Sequence, residues 1–87
     1  MHEASMMRAF MSEVDRIARS EGAKRVSSIT VWLGALSHMS EAHFAEHFRD
    51  SSLGSIADGA QLDVTVSEDL DDPNAQEVII RSVEIET

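Results

Sequence analysis

The spacing of the apolar residues changes character three times along this chain, and that alternation limits the folds open to it. Between residues 4 and 21, Met7, Phe10, Met11, Val14, Ile17 and Ala18 recur every three or four positions. This spacing predicts a helix with one apolar face. Arg8, Glu13, Asp15, Arg16 and Arg19 fall mostly on its other side, and Gly22 is suited to close it in a left-handed conformation. Residues 25–33 then alternate. Ile29, Val31 and Leu33 interleave with Ser28, Thr30 and Trp32, the pattern of a half-buried strand. Ser40 is placed to cap a second helix from Glu41 to about Asp50, with Phe44 and Phe48 one turn apart on it.

Alternation returns at residues 61–67, with Leu62, Val64 and Val66 expected to face inward. Gly54 and Gly59 bracket the preceding loop, for which Ile56 is the expected anchor. Residues 67–76 contain the acidic, proline-bearing run EDLDDPN and read as a turn. The last strand, residues 77–86, has two phases: Val78 and Ile80 share one face, Val83 and Ile85 the other. A β-bulge near Arg81–Ser82 reconciles them, because one extra residue flips the face. The order helix, strand, helix, strand, strand predicts an α+β fold. Its three-stranded mixed sheet would carry two helices on one face, within a single domain spanning residues 1–87. The open strand edges would permit a strand-paired homodimer.

Composition narrows the chemistry. There are 16 acidic residues against 7 Lys and Arg, for a net charge of −9. That charge repels phosphates and argues against nucleic acid or an anionic membrane as partner. No run of ~18 apolar residues spans a membrane. The first residues lack a signal peptide's apolar core, which points to the cytoplasm. The chain has no cysteine, which excludes disulfides, thiolate metal sites and cysteine nucleophiles. No glycine-rich phosphate loop, nucleophile elbow or acid–base pair is evident, so an enzyme is not expected. Ser27 and Ser28 read as strand residues, and Trp32 as packing or part of an apolar patch.

His43 and His47, one helical turn apart, could face one metal ion. Glu46, the nearest acid, points elsewhere on that helix. His38 reads as a loop residue able to complete a site formed by other groups. The beginning of the sequence is a stronger candidate. Met1 offers an amine, His2 an imidazole and a backbone amide, and Glu3 an amide and a carboxylate. Fused chelate rings from such donors suit the square-planar preference of Ni(II) or Cu(II) better than tetrahedral zinc. The amine titrates near ~7.7–8.0 and the imidazole near ~6.5 in model compounds, so binding should weaken as pH falls through that range.

Several ordered elements carry a resemblance. They are Met1-His2-Glu3, Ser5, Glu21 through Val26, Gly34 with Leu36-Ser37, and Ser40. Further on come Ala57-Asp58-Gly59-Ala60 with Leu62 and Val64, and finally Glu77-Val78, Ile80 and Ser82-Val83-Glu84-Ile85-Glu86. In this order, without gaps as far as Val66, the chain resembles the HypA/HybF family, the nickel metallochaperones of hydrogenase maturation. The resemblance implies that Met1, His2 and Glu3 hold Ni(II) through the amine, the histidine ring and backbone amides. A further donor would come from a loop side chain such as His38, from the client or from water. The resemblance also implies a maturation GTPase as partner, and the hydrogenase large subunit, or in some organisms urease, as client. Family members carry a zinc domain with two CxxC pairs between the last two strands. Here residues 67–76 stand in its place, so no structural zinc is expected and a chelator should leave the fold intact. The alternative is a protein-interaction or assembly module of the same fold that has lost metal delivery.

Overall fold

The computed structural model describes residues 3–87 as α1 (Glu3–Ser20), β1 (Arg25–Leu33), α2 (Glu41–Ser52), β2 (Gln61–Val66) and β3 (Val78–Glu86). The strands form one mixed sheet in the order β2-β1-β3. β1 pairs in parallel with β2 and antiparallel with β3. α2 therefore lies in the crossover between two parallel neighbours, which a two-residue hairpin cannot connect. Both helices share one core with the sheet. Met7, Phe10, Val14 and Ala18 of α1 meet Val26, Ile29, Val31 and Leu33 of β1, with Phe44 and Phe48 of α2. The architecture is the α+β arrangement expected from the period changes.

Helix ends follow local chemistry. α1 finishes in a Schellman motif: the Ala23 amide donates to the Ala18 carbonyl at 3.0 Å, and the Gly22 amide to that of Arg19 at 3.1 Å. Gly22 takes φ +68°, which a side chain would resist. Ser40 caps α2, its Oγ accepting from the His43 amide at 3.1 Å. On the exposed side of α1, a hydrogen bond from the Arg16 guanidinium at 3.0 Å holds the Glu13 carboxyl below its ordinary range. This pair is solvated and adds little to stability.

The expected bulge is present. Thr30 pairs with Ser82 and Val31 with Ile80, so Arg81 is the extra residue. Its guanidinium sits 5.5 Å from the centre of the Trp32 ring, on the sheet face opposite the helices. A second irregularity falls in β1, where Val26 pairs with Ile85 and Ser28 with Glu84. It lets Val26 and Ile29, three residues apart, both reach the core.

Two packing expectations need correction. Val66 is exposed and does not join Leu62 and Val64 in facing the core. It ends an edge strand at an open corner of the sheet. In the loop after α2, Ala57 is the fully buried residue, while Ile56 is only partly covered. Ile56 contributes its carbonyl, which accepts from the Val26 amide at 2.8 Å.

The acidic segment before β3 is a chain of side-chain-stabilised turns. Ser67 Oγ accepts from the Asp69 amide, Asp69 from that of Asp71, and Asp72 from that of Asn74, at 3.1, 3.0 and 2.8 Å. It is docked by Leu36, whose amide donates to the Ala75 carbonyl at 2.7 Å. The Gly34 amide donates to the carbonyl of Glu77 at 2.9 Å.

Candidate metal centre

Glu3 is the first residue of α1. It precedes Met7, Phe10 and Val14 by four, seven and eleven positions, so it continues the helix's buried stripe past the end of the core. α2 crosses beside that stripe. The Phe10 ring meets Phe44 edge-on at 5.1 Å between centroids and Phe48 at 6.0 Å. His43 and His47 each directly precede one of these phenylalanines. Anchoring the aromatic pair on Phe10 therefore brings both imidazoles to the start of α1.

Three donor atoms converge there. Glu3 Oε2 lies 3.3 Å from His43 Nε2 and 3.0 Å from His47 Nε2. The two Nε2 atoms are 3.0 Å apart. The three side chains are 38–44% exposed, so the group opens to solvent on one side. Among the described residues, Glu3, His43 and His47 are the cluster of potential ligands close enough to share an ion.

Of the residues singled out in the sequence, Met1 and His2 lie outside the described residues. Glu3 is described, and its carboxylate faces α2. His43 and His47 do share a helix face, but their acidic neighbour is Glu3, not Glu46. His38 is not part of the cluster; it takes φ +63° in the loop between β1 and α2. No helix among the described residues is long and apolar enough to cross a membrane.

Fold and site together define a small α+β domain carrying transition-metal donors where its two helices meet. A family model described as "Hydrogenase/urease nickel incorporation, metallochaperone, hypA" matches residues 1–70, and the chain belongs to this HypA family. Hydrogenase maturation factor HypA of Chlorobium limicola is 34% identical over 64 residues, which is 74% of this chain and 55% of that protein. The Archaeoglobus fulgidus protein of the same name is 36% identical over 66 residues, 76% of this chain and 60% of its own. The chain thus spans between half and two thirds of the length of these relatives. The solution structure of the Ni metallochaperone HypA from Helicobacter pylori superposes with a TM-score of 0.80 at 18% identity. That alignment covers 98% of this chain and 97% of that one. At this identity it establishes a common fold, extending through β3 beyond the residues matched by the family model.

Proposed function

We propose that this chain binds Ni(II) at its beginning and takes part in the maturation of a nickel enzyme such as hydrogenase, passing the ion on by ligand exchange. The observation that carries this reading is the family match from residue 1, over a stretch that opens with Met1-His2-Glu3. The Met1 amine, the His2 amide and ring, and the Glu3 amide provide nitrogen donors on adjacent residues. Deprotonated nitrogen donors in one plane suit Ni(II). Nickel is cargo here, so the chain's task is to hold it and release it, without catalysis. The client is a hydrogenase large subunit or urease, and a maturation GTPase is the accompanying partner. The turn at residues 67–76 carries no thiolate ligands, and no structural zinc is required.

The test is transfer. Nickel-loaded protein incubated with a nickel-free hydrogenase large subunit should lose its ion to that client, and His2→Ala protein should deliver none. Equal delivery by the variant would remove the proposed donor set. The cysteine-free turn at residues 67–76 supports a second reading, an assembly module without cargo. A stoichiometric partner co-purifying without nickel would favour that one.

A further inference from the structure

We infer that Glu3, His43 and His47 form a second metal site, distinct in its donor atoms from the proposed nickel site. It would take a borderline divalent transition ion through two imidazoles and one carboxylate. The inference assumes the nickel reading only in leaving the Glu3 carboxylate free, since the proposed nickel donors are an amine, a ring and backbone amides.

The separations are those of ligands around one ion. With metal–ligand bonds of ~2.0–2.2 Å, neighbouring donors stand ~3.0 Å apart at right angles and ~3.4 Å apart in a tetrahedron. The three edges of this triangle are 3.0, 3.0 and 3.3 Å. Two histidines one helical turn apart supply two ligands from a single rigid element. The third comes from a different helix whose position is fixed by the Phe10–Phe44–Phe48 contact.

Hydrogen bonding alone does not account for the triangle. A carboxylate only accepts, and an imidazole Nε2 either donates or accepts. If both rings donate to Glu3, two N–H groups face each other at 3.0 Å. If one ring donates to the other, the second ring's lone pair is left facing the carboxylate. That contact is 3.0 Å when His47 accepts and 3.3 Å when His43 does. Every assignment with Glu3 ionised thus leaves one close contact between like groups. A cation receiving all three lone pairs removes the conflict. The partly exposed side chains leave the remaining positions open to water or an incoming ligand, the hallmark of a site that exchanges its ligands.

The experiment uses the full chain with a short extension before Met1. The extension occupies the α-amine but keeps Glu3, His43 and His47. Calorimetric titration with Co(II) should show one bound ion, and the His43 and His47 ring resonances should broaden as the paramagnetic ion binds. The double variant His43→Gln/His47→Gln changes two partly exposed side chains. It should weaken binding by more than the ~10–100-fold typical of outer-shell changes, because two ligands are gone. Glu3→Gln, which leaves only a weaker amide-oxygen donor, should weaken it by at least ~10-fold, the least that even an outer-shell change costs. Absence of Co(II) binding to the extended protein, or equal binding by the double variant, would overturn the inference. The nickel proposal is read separately, on unextended protein: the double variant should still take up planar Ni(II), whereas His2→Ala should not. Failure of one arm therefore leaves the other standing.

Discussion

Gly34 allows a direct test of how the acidic segment is held. A Cβ at this position would meet the Ala75 carbonyl carbon at 2.5 Å and the Asn74 carbonyl oxygen at 2.7 Å, with the Ala75 oxygen closer still. Carbon atoms in ordinary contact sit ~3.5–4.0 Å apart. Every obstructing atom belongs to the backbone, so no rotamer change relieves the clash, and residues 74–75 must retreat by about 1 Å. That retreat strains the bonds from Gly34 to Glu77 and from Leu36 to Ala75, and lifts the buried Ala75 side chain. Overpacking costs ~1–3 kcal/mol, and two weakened hydrogen bonds add ~0.5–1.5 kcal/mol each. Gly34→Ala should therefore lose ~2–6 kcal/mol, from a total of ~4–13 kcal/mol for a domain this size. Urea unfolding should show a lower midpoint with little change in slope. Gly22→Ala is the control. Nothing lies within 4 Å of its added Cβ, and only φ +68° opposes it, so its cost is ~1–2 kcal/mol. A Gly34→Ala loss no larger than that of Gly22→Ala would refute the steric argument.

Other perturbations act on the elements that carry the metal ligands. Ser40→Ala removes the cap of α2 and should cost ~1 kcal/mol. A calorimetric scan should show the midpoint lowered by ~4–8 °C. Phe44→Ala empties a fully buried position and removes an edge-on contact with Phe10, for ~3–5 kcal/mol by urea titration. It should also loosen the approach of His43 and His47 to Glu3.

The elements were legible because each displays its period. The bulge at Arg81 was legible too, as a phase conflict between Val78–Ile80 and Val83–Ile85. The irregularity in β1 had a weaker trace, the three-residue step from Val26 to Ile29. Alternation marked Val66 as inward, but alternation does not reveal which end of an edge strand the helices cover. The Glu3–His43–His47 group shows the same limit more sharply. The histidine spacing and the position of Glu3 on the α1 stripe are both visible in the sequence. Their meeting depends on how α1 and α2 cross, which Phe10, Phe44 and Phe48 set through contacts more than thirty residues apart in the chain. Glu46, the acid nearest these histidines in the sequence, points elsewhere on α2, while their structural neighbour Glu3 lies forty positions upstream.

The central claim is that the first residues chelate nickel through amine and amide nitrogens. It is tested most directly by titrating Ni(II) into protein that begins at Met1, while following the visible absorption of planar four-coordinate nickel. An imidazole–carboxylate site does not produce that spectrum. The account predicts saturation at one equivalent of planar Ni(II), and no planar species in His2→Ala or in protein extended before Met1. An unchanged planar signal in either would contradict it.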